Sequence, residues 1–155
     1  MTIKAVIWDV GGVLLRTENP VPRQKLAERL GMDRKELEKL VFSGESGSEA
    51  QLGKRSYENH LRDVLEWLGL PQAEKDQFEQ EFWGGDRIDY GLVETIHKLH
   101  QDHLRTGILS NAFSNLRELL VSDWKISDAF DTIVISAEVG LVKPDPLIYQ
   151  LALKS

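Results

Sequence analysis

The feature that most constrains the fold is a short apolar run over residues 3–8, which leads directly into Asp9 and then a double glycine, Gly11 and Gly12. A run of this length that ends in glycines is typical of a buried strand of a parallel sheet and its C-terminal loop. Open α/β sheets bind their ligands just beyond the carboxyl ends of such strands. Asp9 is therefore either placed for chemistry or caps the end of the strand, as aspartates often do.

Composition narrows the class of protein. The 155 residues suffice for one domain or for a small domain with an insertion, and 41% hydrophobic with 28% charged residues is typical of a globular chain. The net charge of −6, without a long basic run, argues against nucleic acid or an anionic membrane surface as the partner. The sequence has no cysteine, no signal-peptide pattern and no apolar run of about 20 residues. We therefore expect a cytoplasmic protein without disulfides, cysteine-ligated metals or a membrane span.

The order of predicted elements indicates a sheet domain that carries a helical insertion. Two further β-type runs, over residues 106–109 and 132–135, follow a long segment with helical apolar spacing. Residues 91–155 alternate helices and strands as βαβ units do, which predicts a parallel sheet with right-handed crossovers. In the insertion, Asp33 and Ser56 are expected to cap helices, and a turn-rich stretch covers residues 42–53. The helices predicted there span residues 22–30, 34–41, 57–68 and 73–83.

Polar residues follow each of the three predicted strands. Asp9 follows the first, and Ser110 with Asn111 follows the second, before a helix expected to begin at Ala112. Lys143 lies eight residues beyond the third strand, before a predicted helix over residues 146–153. A carboxylate can attack phosphorus, glycine and helix amides bind phosphate oxygens, and a lysine neutralises a dianion. Together these residues predict a site that handles phosphoryl groups.

Three motifs in this order resemble those of haloacid dehalogenase-like hydrolases that carry a helical cap after the first strand: WDVGGVL (8–14), ILSN (108–111) and GLVKPDPLIY (140–149). The segment 89–99 also resembles the helix that re-enters the core domain in that family. The resemblance implies an α/β fold with a Rossmann-like parallel sheet in a three-layer core over residues 1–16 and 89–155. It also implies an α-helical cap domain over residues 17–88.

The resemblance further implies roles for individual residues. Asp9 is the expected nucleophile and a Mg²⁺ ligand, and the backbone carbonyl of Gly11 is the second ligand. Phosphate binding is expected from Lys143, which also pairs with Asp9, and from the remaining candidates Gly11, Gly12, Ser110 and Asn111. The implied function is a phosphatase that cleaves a small phosphomonoester through an aspartyl-phosphate. The alternatives are a catalytically impaired binding or regulatory domain and a 2-haloacid dehalogenase.

Two features depart from the family pattern. Gly11 stands where most phosphatases of the family carry a second aspartate, a general acid and base whose loss costs about 10²–10⁴ in rate. The acidic pair of a fourth motif is absent before the last residue, Ser155. Without the strands around that motif the first strand lies at the sheet edge, where it can pair with another chain. We therefore expect a truncated piece, a homodimer through this edge, or strand exchange between copies.

Three further groups of residues have expected roles. Cap residues set substrate specificity in relatives, so the candidates here are Arg16, Arg23 and residues 44–47. We expect the histidines His97, His100 and His103 to lie on a solvated helix surface rather than in a metal site. We expect the tryptophans Trp67, Trp83 and Trp124 to pack in the core, or between cap and core, rather than to bind a ligand.

Overall fold

The computed structural model describes residues 3–154, which form two sheets surrounded by helices. The strands are β1 (Ala5–Trp8), β2 (Leu15–Thr17), β3 (Asp86–Ile88), β4 (Arg105–Ser110) and β5 (Thr132–Ile135). The helices are α1 (Val21–Arg29), α2 (Arg34–Ser43), α3 (Glu45–Gln51), α4 (Tyr57–Trp67), α5 (Lys75–Trp83), α6 (Tyr90–Gln101), α7 (Leu116–Glu118), α8 (Ser136–Val139) and α9 (Pro146–Lys154). After α7 the chain continues in a π-type turn over Leu119–Asp123. In this described part of the chain, no helix is long and apolar enough to cross a membrane.

The larger sheet is parallel, as predicted, and its strand order is β1-β4-β5. Val6 of β1 lies opposite Thr106 of β4, and Gly107 of β4 lies opposite Thr132 of β5. Five of the six residues of β4 are buried, because β4 is the central strand. Within residues 3–154, β1 is an edge strand, and Ile7 on it is 40% exposed. Self-association through this edge stays a prediction.

Helices cover both faces of this sheet. Successive side chains of a strand point to opposite faces, and Ile108 and Leu109 of β4 accordingly belong to different apolar clusters. The cluster on the first face consists of Val10, Leu14, Ile88, Val93, Ile96, Ile108, Leu116, Leu120, Ile126, Ala129, Phe130 and Ile135. The cluster on the second face joins the sheet to α9 through Leu109, Val134, Ile148 and Ala152. This is the layered α/β arrangement that the sequence predicts.

A separate apolar cluster holds together residues 17–88, called the helical segment from here on. Its buried members come from α1, α2, α4 and α5: Leu26, Ala27, Leu37, Val41, Leu61, Val64, Leu65, Phe78 and Phe82. The segment therefore has an interior of its own rather than sharing that of the sheet. The predicted division into a core over residues 1–16 and 89–155 and a cap over residues 17–88 stays a prediction.

Local capping signals in the helical segment act as predicted. The Asp33 carboxylate accepts hydrogen bonds from the backbone amides of Lys35 and Glu36, and the Glu36 side chain accepts one from the Asp33 amide, which completes a capping box. The Ser56 hydroxyl accepts from the amide of Asn59 at the start of α4. These bonds satisfy amides that a helix leaves without a partner in its first turn.

The prediction of a turn-rich stretch over residues 42–53 is wrong, because α2 extends to Ser43 and α3 occupies Glu45–Gln51. The small residues there serve packing rather than turns. Gly47 is buried, and a side chain on it would come within 2.5 Å of the Val41 carbonyl oxygen. The glycine therefore lets α3 fold back closely against the end of α2.

A short antiparallel ribbon joins the two ends of the helical segment. Strand β2 pairs with β3, with Thr17 opposite Asp86. The Thr17 hydroxyl also donates a hydrogen bond to the Asp86 carboxylate at 2.6 Å. The chain thus leaves the sheet region and returns to it at neighbouring points, which holds the helices over one end of the parallel sheet.

Candidate active site

The carboxylate of Asp9 lies at the carboxyl end of β1 and forms an ion pair with Lys143. Lys143 Nζ donates a hydrogen bond to Asp9 Oδ2 at 2.7 Å across 134 residues of sequence. The other carboxylate oxygen, Oδ1, accepts from the backbone amide of Val10 at 2.8 Å. Asp9 therefore caps the end of its strand and also faces a lysine, and its catalytic role stays a prediction.

Three hydrogen bonds fix Lys143 beside the end of β4. Its ammonium donates to the Leu109 carbonyl at 2.9 Å in addition to Asp9. The Asn111 side chain accepts from the Lys143 amide at 2.8 Å and donates to the Lys143 carbonyl at 3.0 Å. Phosphate binding by Asn111 stays a prediction, and its side-chain amide holds the lysine in place, a role that sequence reasoning missed.

The loops after β1 and β4 place their glycines and hydroxyl beside this pair. Gly11 and Gly12 are exposed, and Gly12 has a φ of +77°, a conformation that side chains rarely adopt. Ser110 is buried at the last position of β4. The structure thus gathers Asp9, Ser110, Lys143 and the two glycines at one end of the sheet.

The helix expected to begin at Ala112 begins only at Leu116, so that prediction is wrong. The reason is that Ser136, fully buried at the end of β5, pairs with the backbone in between: its hydroxyl accepts from the Ala112 amide at 3.0 Å and donates to the Ala112 carbonyl at 3.2 Å. An irregular loop, rather than a helix N-terminus, therefore follows Ser110. Sequence reasoning missed Ser136, although it too follows an apolar strand.

The donor atoms near Asp9 fit a Mg²⁺ ion that keeps most of its water. An ionised carboxylate offers about four acceptor positions, and Asp9 uses two of them for Val10 and Lys143. The exposed backbone of Gly11 adds a carbonyl oxygen. Mg²⁺ commonly takes one or two protein carboxylates and several waters. Asp9 and Gly11 could therefore hold it.

No cluster of three or more acidic or histidine side chains suited to a metal occurs within residues 3–154. His97 lies 3.9 Å from Asp128, and His100 lies 3.3 Å from Asp131, on the exposed side of α6. The predicted helix surface is therefore confirmed for His97 and His100, whereas for His103 it is wrong, because α6 ends at Gln101 and His103 follows in a turn with a φ of +64°.

A cavity of about 680 Å³ opens from the strand ends toward the helical segment. Its floor includes Gly11, Gly12, Ser110 and Asn111, whereas Asp9 and Lys143 lie just outside its lining. Its walls are largely aromatic and aliphatic side chains, namely Phe42, Trp83, Phe113, Leu116, Leu119 and Trp124. The chemistry-bearing residues thus stand at one end of a large apolar chamber.

The aromatic rings of the walls contact one another across element boundaries. Phe113, in the loop after β4, stacks on Phe42 of α2 at 6.4 Å between ring centroids and on Tyr57 of α4 at 5.6 Å. Phe42 also meets Trp83 edge-on at 5.6 Å. Phe113 therefore joins the sheet region to the helical segment, and the sequence offered no signal for it beyond its position after the second motif.

The candidates for substrate specificity divide in the structure. Arg23 lines the cavity, but Arg16 does not, and it pairs with Asp89. Residues 44–47 lie outside the lining as well. Among the tryptophans, Trp83 and Trp124 line the cavity, whereas Trp67 is 67% exposed, so its predicted packing in the interior is wrong. Trp67 lies at the end of α4, on the face away from the apolar cluster.

The model of the haloacid dehalogenase-like hydrolase family matches residues 3–155. The chain belongs to this family. Its placement of Asp9 and Lys143 at the ends of parallel strands can therefore be compared directly with haloacid dehalogenase-like relatives.

Two named relatives are phosphatases. The chain is 29% identical to a sesquiterpene phosphatase of Aspergillus oryzae over 157 residues, which covers 99% of this chain and 74% of that protein. It is 40% identical to a pyrimidine 5′-nucleotidase of Escherichia coli over 64 residues, or 41% of this chain and 28% of that protein. A haloacid dehalogenase family enzyme of Bacteroides thetaiotaomicron, solved with magnesium and inorganic phosphate, has a TM-score of 0.75 at 19% identity, over 99% of this chain and 78% of that chain. This likeness shows a shared fold.

Proposed function

We propose that this haloacid dehalogenase-like hydrolase is a Mg²⁺-dependent phosphatase that cleaves a small phosphomonoester in two steps. The observation that carries the proposal is the 2.7 Å contact of Lys143 with Asp9 beside the exposed Gly11–Gly12 loop. A carboxylate with a cation at its side and the backbone amide of Gly11 in the adjoining loop suits attack on a phosphate dianion. The phosphatase names of two relatives and the magnesium–phosphate complex of a structural neighbour support the same reading.

In the first step an oxygen of Asp9 forms a bond to phosphorus, and the bond between phosphorus and the alcohol oxygen breaks. The alcohol leaves with a proton taken from water, because Gly11 offers no acid. In the second step water attacks the phosphorus of the aspartyl-phosphate, which breaks the bond between phosphorus and the Asp9 oxygen, releases inorganic phosphate and the carboxylate, and returns to the solvent the proton taken in the first step. When bound through Asp9 and the Gly11 carbonyl, Mg²⁺ supplies positive charge next to the phosphoryl oxygens.

The other residues of the strand ends bind and orient the phosphoryl group. The Lys143 ammonium, held by the Leu109 carbonyl and by Asn111, neutralises negative charge without having to reorganise. The Ser110 hydroxyl and the Gly11 amide donate hydrogen bonds to the remaining oxygens, whereas the Gly12 amide already donates to the Leu15 carbonyl at 2.9 Å. Prior fixation of these groups lowers the entropy cost of reaching the transition state.

A specific observation supports a second candidate, a family member that binds phosphate without turning it over. The missing carboxylate at Gly11 removes the group that most phosphatases of the family use as acid and base. Such a protein would be stabilised by phosphate and Mg²⁺ and would release no alcohol. The dehalogenase alternative predicts halide release from 2-haloacids instead.

Hydrolysis of p-nitrophenyl phosphate, with and without Mg²⁺, tests the proposal. The wild-type chain is compared with Asp9→Asn and with Asp76→Asn, whose side chain is almost fully exposed on α5. We expect turnover that needs Mg²⁺, is unaffected by Asp76→Asn, and falls by at least about 10⁴-fold in Asp9→Asn, since the nucleophile is lost. Folded wild-type protein that binds phosphate without turnover would support the binding candidate and contradict the phosphatase.

A further inference from the structure

We propose that the alcohol half of the substrate is an uncharged hydrocarbon, a chain or ring system, which occupies the apolar cavity between the strand ends and the helical segment. This inference rests on the phosphatase proposed above. The names of the two relatives do not decide the alcohol, because one is a sesquiterpene phosphatase and the other a nucleotidase. The side chains that form the walls of the cavity decide the class of alcohol.

The size of the cavity is the first argument. Its volume of about 680 Å³ is in the range that holds a drug-sized ligand, far beyond a phosphate group. The floor, which contains Gly11, Gly12 and Ser110, suits the phosphoryl group. The space beyond that floor is therefore left for the alcohol.

The chemistry of the walls is the second argument. The apolar surfaces beyond the floor are the rings of Phe42, Trp83, Phe113 and Trp124 and the aliphatic side chains of Leu116 and Leu119. Phe113 stacks on Phe42 with their planes 5° apart, and both rings add to the apolar face of the cavity. Contacts with such a face favour hydrocarbon and reward each methylene group that leaves water.

Most polar side chains that line the cavity beyond its floor are already paired within the protein. Arg23, 5% exposed, donates to the Phe82 carbonyl at 2.9 Å, to Glu38 at 3.0 Å and to Asp86 at 2.7 Å. These bonds use the guanidinium along both of its edges. A hydroxyl-rich substrate such as a sugar would have to displace these contacts at a cost in free energy.

The tyrosine of the cavity is committed in the same way. Tyr57 donates its hydroxyl hydrogen to Glu79 at 2.7 Å and accepts a hydrogen bond from Trp83 Nε1 at 3.2 Å. Burial raises the pKa of the Tyr57 hydroxyl well above its ordinary value, so it stays neutral and keeps this donor role. The Gln51 side-chain amide donates to the Phe42 carbonyl at 2.8 Å.

The charges of the cavity exclude a second anionic group on the alcohol. Within residues 3–154, its lining contains three carboxylates, Glu38, Glu79 and Asp86, against one cation, Arg23, and no lysine. A carboxylate or a further phosphate on the alcohol half would therefore face net negative charge in a low-dielectric space. An uncharged alcohol meets no such penalty.

Binding of non-hydrolysable phosphonates tests the inference independently of catalysis. The probes are methylphosphonate, butylphosphonate and octylphosphonate, titrated calorimetrically with Mg²⁺ present, alongside a nucleoside monophosphate and a hexose phosphate. A buried methylene adds about 3- to 4-fold in affinity, so octylphosphonate should bind about 100-fold more tightly than butylphosphonate. It should also bind more tightly than either polar phosphate.

A pair of variants locates the binding surface. Leu119→Gln changes a cavity-lining side chain, whereas Val121→Gln changes an exposed one on the same turn. We expect Leu119→Gln to lower the octyl-to-methyl affinity ratio about 5- to 10-fold and Val121→Gln to leave it unchanged. Both substitutions lie outside the fully buried core, and their melting temperatures confirm folding.

Three results would overturn the inference: affinities independent of chain length, no binding of any phosphonate, or tighter binding of the nucleotide or sugar phosphate. The companion assay measures phosphate release from butyl and octyl phosphate. If neither ester is cleaved while the phosphonate series keeps its slope, the proposed phosphatase fails and the apolar ligand class stands. The two failures are therefore distinguishable.

Discussion

The polar groups at the strand ends and those of the helical segment differ in whether their hydrogen-bonding capacity is already used within the protein. At the strand ends, Asp9, Ser110 and Lys143 lie beside exposed glycines and retain bonding capacity for a ligand. In the helical segment, buried polar groups such as Arg23 are satisfied within the protein, and the cavity walls are apolar. The comparison teaches that chemistry and recognition of the alcohol come from different parts of the chain, so substitutions in the two regions should have separable effects.

The largest expected effect is a gain at the strand ends. A Cβ atom on Gly11 meets no atom of the described residues within 4 Å, so the missing acid can be introduced there without a clash at its Cβ. We expect Gly11→Asp to raise kcat/KM for alkyl phosphates about 10²- to 10⁴-fold, because the alcohol then leaves with a proton from the carboxyl group. The gain should be much smaller for p-nitrophenyl phosphate, whose leaving group is good.

Gly12→Asp is the matched control for this substitution. Gly12 has a positive φ of +77°, which a side chain strains, so this variant should lose stability and gain no activity. Equal rates for Gly11→Asp and wild type on alkyl esters, in folded protein, would show that the acid is not what limits this site.

The second prediction concerns the stability of the helical segment. Arg23→Met leaves the buried Asp86 without its cation, while Glu38 keeps Arg34 at 3.5 Å, and breaking a buried pair in this way costs about 3–5 kcal/mol. Urea denaturation measures this loss. Arg29, on the same helix as Arg23, forms exposed ion pairs with Glu74 and Glu81. Arg29→Met removes these pairs and should cost less than about 1 kcal/mol of stability. Similar losses in both variants would contradict a buried, self-satisfied network.

The third prediction separates catalysis from selectivity. Lys143→Met removes the cation beside Asp9, and we expect kcat to fall about 10²- to 10³-fold, as for the loss of one group that stabilises developing charge. The fall should be the same for butyl and octyl phosphate, because Lys143 lies outside the lining of the cavity. Lys98→Met, on the exposed face of α6, serves as the control. A change in the octyl-to-butyl ratio of kcat in Lys143→Met would contradict the separation of catalysis at the strand ends from recognition of the alcohol in the cavity.

The smallest expected effect is a pH dependence of stability from His60. This residue is 1% exposed, and its Nδ1 lies 2.7 Å from the Ser46 hydroxyl. Burial lowers its pKa, against smaller opposing effects of a hydrogen bond to the Val41 backbone and of Asp63, and with a minor lowering by Arg55. The unfolded chain therefore binds more protons than the folded one once the pH drops below about 6.5, and stability falls with it.

Urea denaturation of wild type and His60→Gln, at about pH 7.5 and about pH 5.5, measures this effect on both sides of the ordinary histidine pKa. Other titrating groups are common to both proteins, so the difference between the two slopes isolates His60. The wild type should lose more free energy of unfolding than His60→Gln on acidification. Equal losses would show that His60 is hydrated and that the interior of the helical segment is not dry around it.

The sequence predicted the strand ends well because simple patterns mark them. The apolar runs before Asp9 and Ser110 are strands of one parallel sheet, so their ends must meet at one edge. The capping box at Asp33 is also local and was readable. Asn111 and Ser136 were harder, because their bonds to Lys143 and Ala112 depend on which loops the folded sheet brings together.

The helical segment resisted prediction for a different physical reason. The walls of its cavity combine side chains from α2, α5 and the loops after β4, and no single period in the sequence encodes that combination. Strands β2 and β3 have three residues each, too few for an alternating pattern. The glycines of residues 42–53 suggested turns, whereas Gly47 actually permits a close helix contact.

The most direct test of the account is to locate the phosphoryl group during turnover. Wild-type protein is mixed with p-nitrophenyl phosphate and Mg²⁺, quenched in acid within a single turnover, digested and analysed by peptide mass spectrometry. If Asp9 is the nucleophile, we expect one phosphoryl group on the peptide that contains Asp9, and none in Asp9→Asn. A phosphoryl group on Ser110 instead, or turnover in wild type without any phosphorylated peptide, would contradict it.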